Sequence, residues 1–172
     1  MGAKAGKIED ILQAAATDAA TPLREVVEMS LAELGDDGAD VDVRVPETVA
    51  TYANPFVLQS VLTELVGNAV EHTDGSGVAV GTTDDGTGIT VADRGPGIPE
   101  NELRVFETGE ETQLQHGSGL GLWLVKWGVG RLGGDVQLDV DDTGTRVTVR
   151  LPSQLVTPSG DAGPDATPAA AD

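Results

Sequence analysis

The chain has 172 residues, no cysteine, only 3% aromatic residues and a formal net charge of −19. That length holds one domain with tails, and the lack of cysteine excludes disulfides and thiolate metal sites. With only three lysines (Lys4, Lys7 and Lys126), the surface would repel a nucleic-acid backbone, which argues against DNA or RNA as a partner.

No run of about 18 apolar residues is present, so no spanning helix and no direct membrane contact are expected. Met1 to Lys7 lacks the basic-then-apolar pattern of a secretory signal. An acid-rich, lysine-poor surface repels itself in dilute salt. At about 1 M salt the screening length falls to about 3 Å and the repulsion largely vanishes. The composition therefore suits a salt-loaded cytoplasm.

Residues 1–14 read as an N-terminal extension in which Ile8, Ile11 and Leu12 suit a short helix or the end of an upstream one. Thr21-Pro22 predicts a helix start, and Leu23, Val26, Val27, Leu31 and Leu34 continue it at helical spacing until Gly35. "VDVRV", 41–45, alternates as a half-buried strand does. Asn54-Pro55 opens a second helix with Leu58, Val61, Leu62, Leu65 and Ala69 as its core stripe. Two apolar runs, 78–83 and 89–93, flank "DDGTG" and predict a hairpin. A third helix is expected from Leu120 to about Leu132, and "VQLDV" and "TRVTVRL" flank "DDTG" as a second hairpin. Residues 153–172, rich in Pro, Ala, Gly and Asp, read as a disordered tail. The expected fold is α+β, a two-layer sandwich with three helices on one face of a mixed, mostly antiparallel sheet.

Three segments carry chemistry. In "ELVGNAVEHT", 64–73, Glu64, Asn68 and Glu71 form a polar flank beside the apolar stripe, with His72 between flank and core. Asn is a mediocre helix former; taken alone Asn68 reads as part of a solvated flank, and together with the two segments that follow it reads as a ligand whose side-chain oxygen meets a cation. "DRGPGIP", 93–99, follows a strand. Its glycines permit close backbone approach, and Asp93 can accept a hydrogen bond from an amine such as that of adenine. "GSGLGL", 117–122, stands at the mouth of a helix, where free N–H groups and the helix dipole suit phosphate. It lacks the Gly-Lys-Ser/Thr ending of the Walker loop.

In this order and spacing the three segments resemble the N, G1 and G2 boxes of the ATPase superfamily that unites histidine kinases, gyrase, MutL and heat-shock-ninety proteins. The ATP-binding catalytic domain of sensor histidine kinases is the nearest match, over roughly residues 15–152. "VFETG", 105–109, resembles a degenerate F box, and the fused "HGSGLGLWLV" resembles haloarchaeal members. The resemblance implies ATP and Mg2+ as cofactors. Asn68 would bind the metal, with Glu64 either supporting its shell or acting as general base toward water. Asp93 would take the adenine amino group, with Gly95, Gly97, Ile98 and His72 around the base. His116, Gly117, Ser118, Gly119, Leu120, Gly121 and Leu122 would close on the triphosphate, and 100–116 would form a lid.

Two departures from the family pattern stand out. A Lys or Arg is often found where this chain has Glu71, and residues 107–116 contain neither. The phosphoacceptor histidine of such kinases lies in a separate helical hairpin, and neither His72 nor His116 matches its motif. The implied protein is cytoplasmic and works with a histidine-bearing dimerisation domain outside this chain and with a response regulator receiver domain. The rival readings are a stand-alone anti-sigma-type Ser/Thr kinase and an inactive nucleotide sensor. Trp123 and Trp127, four apart, suit either core-border packing or a docking stripe for the dimerisation helices.

Overall fold

The structure, a computed structural model, describes residues 16–38, 40–73, 77–98, 100, 103–104, 107 and 118–157. In chain order these form strand β1 (Ala16–Pro22), helix α1 (Leu23–Leu34), a 3-10 turn (Gly35–Gly38), strands β2 (Asp42–Arg44) and β3 (Ala50–Ala53), and helix α2 (Pro55–Thr73). Strands β4 (Ala79–Thr82) and β5 (Gly88–Asp93), helix α3 (Ser118–Arg131), strands β6 (Asp135–Asp141) and β7 (Gly144–Arg150), a 3-10 turn (Ser153–Leu155) and strand β8 (Val156–Thr157) complete the fold. Among the described residues, no helix is long and apolar enough to cross a membrane.

The main sheet has five strands in the order β2-β4-β5-β7-β6. Strands β2 and β4 are parallel and the other pairs antiparallel. Period-2 alternation puts one row of valines and leucines under the helices: Val80, Val91, Val147 and Leu138 are in register across four strands. The opposite face carries Thr90, Thr148 and Gln137, then Ala92, Arg146 and Asp139. One apolar and one polar face is the arrangement that lets an antiparallel sheet be covered on a single side. The α+β sandwich expected from the sequence is the architecture found.

Helix α2 lies at the centre of the helical layer. Leu58, Val61, Leu62 and Val66 on it are fully buried. Its start follows the sequence expectation: Asn54 Oδ1 accepts from the N–H groups of Phe56 (3.0 Å) and Val57 (3.4 Å), and Pro55 is the first helical residue. Polar bonds stitch it to α1. Ser30 Oγ donates to the Val26 carbonyl (3.0 Å) and reaches the Gln59 carbonyl (3.3 Å), while the Glu33 carboxylate accepts from Gln59 Nε2 (3.2 Å) and Thr63 Oγ1 (3.3 Å). On α3, Trp123 and Trp127 stack on each other with ring centroids 5.7 Å apart, partly buried against the core.

Two local expectations are corrected, and one strand was not foreseen. Thr21 does not cap α1: it pairs with Thr51 in β1, Pro22 takes the cap position without a side-chain hydrogen bond, and Leu23 N donates to the Val49 carbonyl at 2.9 Å. The Ala-rich stretch from Ala16, for which the sequence suggested no element, is a strand paired with β3 in a second sheet ordered β1-β3-β8. Residues 153–157, assigned above to the tail, belong to the fold. Leu155 and Val156 are 8% and 6% exposed, and Thr51 Oγ1 donates to the Leu155 carbonyl at 2.8 Å. The supposed helix at Ile8, Ile11 and Leu12 lies outside the described residues.

Two predictions follow from packing and turn chemistry. Leu155→Ala should lower unfolding stability by about 2 kcal/mol in a urea titration, as a buried leucine would and a tail residue would not. In the β4–β5 turn, Asp85 accepts from the Thr83 hydroxyl, from Thr87 N at 3.0 Å and from Thr87 Oγ1 at 2.9 Å. These bonds, with the Arg150 charge nearby, lower its carboxyl from 3.8 to about 2. A depressed carboxyl contributes stability that is complete above its unfolded value and lost as pH falls through its folded one. The stability difference between the native chain and Asp85→Asn should therefore be constant above about pH 5 and shrink as pH falls toward 2, read from urea midpoints across that range.

Candidate functional site

Burial of the α2 stripe fixes the rotation of that helix, and its rotation aims the polar flank. Glu64, Asn68 and His72 are half-buried along one edge, facing the first turn of α3 and the end of β5. Contact with α3 is tight at Gly121. A Cβ there would lie 2.9 Å from Glu64 Oε2, 3.5 Å from Asn68 Nδ2 and 3.7 Å from Asn68 Oδ1. A side chain at 121 would therefore push the carboxylate and carboxamide away from the helix start. A helix start also leaves its first backbone N–H groups without intrahelical partners and carries the positive end of the helix dipole.

Next to this contact, and sharing Asn68 with it, lies a cleft between helices and sheet. Its walls are Leu65, Ala69 and His72 of α2, Val91 and Asp93 of β5, and Thr145 and Val147 of β7, with Ile98 and Leu122 closing its ends. Its free volume is about 20 Å³, so the walls nearly touch and a planar ring would have to part them. The lining is apolar except for Asn68, His72, Asp93 and Thr145. Asp93 Oδ1 accepts from the Gly95 N–H at 2.8 Å, which turns the carboxylate and leaves Oδ2 as its second acceptor.

Thr145 is a site residue that the sequence reading missed. It is 5% exposed and in register with Asp93. Alternation along "GTRVTVRL" carries the signal: it puts Thr145 on the same sheet face as Val147 and Val149, one strand from Asp93. The preceding Gly144 has φ 142°, and a Cβ there would run into the Asp93 carbonyl oxygen, so the β6–β7 turn and the end of β5 fit together only through glycine. Asp141 Oδ1 accepts from Thr143 N at 2.7 Å and from the Thr143 hydroxyl, which braces that turn and holds the Asp141 carboxyl below its usual range.

The other expected site residues divide in three. Gly95, Gly97 and Ile98 stand at the cleft mouth: Gly97, at φ 96°, packs on Val140, and Gly95 packs on the end of α2. Ser118, Gly119 and Leu120 form the first turn of α3. His116 and Gly117 lie outside the described residues, as does 108–116 of the expected lid. At the base of that segment, Lys126 Nζ donates to the Glu107 carbonyl at 3.3 Å. Glu71 is exposed and does not join Glu64 and Asn68. It lines a separate depression of about 510 Å³ with Leu34, Asp36, Asp37, Asp40, Gly67 and Val70.

Among the described residues, no group of three or more His, Cys, Asp or Glu could hold a metal ion alone. The Glu64–Asn68 pair nevertheless suits magnesium, which usually takes one or two protein carboxylates and completes its shell with phosphates and water. Asn68 Nδ2 is buried without a hydrogen-bond partner. Such an orphan donor is costly, and a phosphate oxygen would satisfy it. A half-turn of the same carboxamide offers Oδ1 to a cation instead.

Comparison with known proteins identifies the family. The family described as histidine kinase-, DNA gyrase B- and HSP90-like ATPase matches residues 53–155. Sensor protein CseC of Streptomyces avermitilis is 33% identical over 126 residues, which is 68% of this chain and 25% of that protein. Signal transduction histidine-protein kinase AfsQ2 of Streptomyces coelicolor is 34% identical over 134 residues, 73% of this chain and 25% of that protein. This chain thus spans about a quarter of the length of these two relatives. The solved structure of mycobacterial sensor histidine kinase MprB aligns with TM-score 0.62 at 28% identity, over 78% of this chain and 96% of that one. Full-length ShkA in complex with AMPPNP aligns with TM-score 0.55 at 25% identity, over 86% and 35% respectively. The matched region contains the whole Asn68–Asp93–Gly121 arrangement, and the chain belongs to the histidine kinase-, DNA gyrase B- and HSP90-like ATPase family, as an ATPase domain of the sensor histidine kinase type.

Proposed function

We propose that this chain is the ATP- and magnesium-binding catalytic domain of a cytoplasmic two-component kinase, donating the γ-phosphoryl group of ATP to a histidine on a dimerisation domain outside the chain. The phosphoryl group would pass from there to an aspartate on a response regulator receiver domain. One observation carries the reading: Asn68 belongs both to the cleft that ends on Asp93 and to the contact with the first turn of α3. A single side chain thus joins a narrow apolar slot, which a planar base would part, to a helix start suited to anions, as a nucleotide triphosphate requires.

In this reading the adenine slides between Ala69, Val91 and Ile98, and Asp93 Oδ2 accepts from its amino group. Thr145 stands beside Asp93 and can donate to a ring nitrogen. The triphosphate lies along the α2 edge toward Gly121, where α3 backbone N–H groups and the Asn68 amide meet its oxygens. Asn68, with Glu64 behind it, would hold magnesium, which would supply charge neutralisation at the phosphates. Because transfer of a phosphoryl group needs little covalent help, the protein contributes mainly position and charge. Glu64 faces α3 rather than the base, which supports a role at the phosphate end. We assign it to the metal's water shell ahead of general-base duty, since the recipient histidine comes from elsewhere.

Binding tests the reading directly. Calorimetry with AMPPNP and magnesium in molar potassium chloride should show Asp93→Asn weakening affinity about ten- to a hundredfold, the worth of one hydrogen bond to a charged group. Asn68→Ala should remove the difference between titrations with magnesium and with a chelator. If both folded variants bind as the native chain does, the reading is wrong. Transfer is tested separately by supplying labelled ATP and a histidine-bearing hairpin; binding without transfer would favour a nucleotide sensor.

A further inference from the structure

Thr73 is the last residue of α2 and does not line the cleft. Its hydroxyl donates to the Ala69 carbonyl at 2.7 Å, one helical turn back. That bond fixes the side chain's rotamer and so fixes where its methyl points. The methyl points at Gly95: a Cβ built on Gly95 would lie 2.9 Å from Thr73 Cγ2, 3.1 Å from Asp93 Oδ1 and 3.2 Å from the His72 carbonyl oxygen. Gly95 is also the residue whose N–H holds Asp93 Oδ1. Helix end, methyl, glycine and carboxylate therefore form one chain of contacts.

We propose that Thr73 is a positioning residue for base selection: its methyl seats Gly95, Gly95 orients the Asp93 carboxylate, and the site thereby tells adenine from guanine. The proposal rests on the ATP reading above. A carboxylate aimed at a base amine accepts a hydrogen bond from adenine and meets a carbonyl oxygen in guanine, so its aim sets the discrimination. Small displacements of such a group are costly because the bond is directional. Since α2 also carries Asn68 and Glu64, one rigid helix would then set the base end and the phosphate end of the site together.

The methyl and the hydroxyl can be separated by substitution. Thr73→Ser keeps the bond to Ala69 and deletes the methyl; Thr73→Val keeps a methyl in place and deletes the bond. Affinities for ATP, GTP and magnesium tripolyphosphate would be measured by calorimetry on the full chain. Thr73→Ser should cut the ATP-to-GTP preference about fivefold, as a slightly misplaced group does, while tripolyphosphate affinity stays at the native value. Thr73→Val should keep the native preference. A merely structural role would lower ATP, GTP and tripolyphosphate affinity together, and that result overturns the proposal, as does a native preference in Thr73→Ser. Gly95→Ala adds a second measure. Its methyl collides with Thr73 Cγ2, so the loss in the double variant with Thr73→Ser should be less than the sum of the single losses; a simple sum argues against the contact. If the native chain shows no ATP preference, or if Asp93→Asn leaves one intact, the ATP reading itself fails, whatever Thr73 does.

Discussion

Helix α2 buries Leu58, Val61, Leu62, Leu65 and Val66 against the sheet and its two neighbouring helices, and this burial leaves it only one rotation about its axis. A turn of even one residue would bring Glu64 or Asn68 under the sheet, where a charge or an unpaired amide is expensive. The same rotation that closes the core thus presents Glu64, Asn68 and His72 along one edge. Three contacts of the site are made from there: Gly121 against Glu64 and Asn68, the cleft wall through His72, and Gly95 against the helix end.

The other half of the site depends on strand register. Asp93 ends β5 at the point where Thr145 begins the inward-facing row of β7, and the two meet because Val91 pairs with Val147 and Ile89 with Val149 behind them. A slip of one residue would turn both away from the helices. Gly144 lets the β6–β7 turn lie on the Asp93 carbonyl, so core pairing reaches the cleft mouth without a break. The carboxylate is therefore held from two sides, by the sheet through its backbone and by Gly95 through its side chain.

The charge of the chain is unevenly placed around this frame. Helix α1 has no basic residue in its last turn and is followed at once by Asp36 and Asp37, which with Asp40 and Glu71 line the depression beside α2. Carboxylates next to the negative end of a helix dipole repel it, and the repulsion weakens as salt shortens the screening length. Glu71 belongs to this acidic flank and is spatially separate from the cleft. Its carboxylate is thereby kept out of the cleft between α2 and the sheet.

Much of the architecture was legible from local patterns. The period of apolar residues identified α1, α2 and both hairpins, and Asn54-Pro55 marked the start of α2 because a side-chain acceptor and a proline act within one turn. The motif segments carried Asn68, Asp93 and Gly121 for the same reason: each lies at a glycine, a strand end or a helix start that the sequence displays, and Glu64 follows from Asn68 by one helical turn. What lay beyond reach was everything that required a partner distant in the chain. Ala16–Pro22 became a strand only because β3 had a free edge, Leu155 and Val156 left the supposed tail because that sheet had room for them, and Thr21 lost its capping role to pairing with Thr51. Thr145 joined the cleft through register, and packing set Glu71 apart from Glu64 and Asn68. The sequence by itself determined the elements and the types of chemical group, since both follow from interactions within a few residues. Tertiary structure alone decided which groups meet, because the free energy that brings them together comes from burying surfaces that are far apart along the chain.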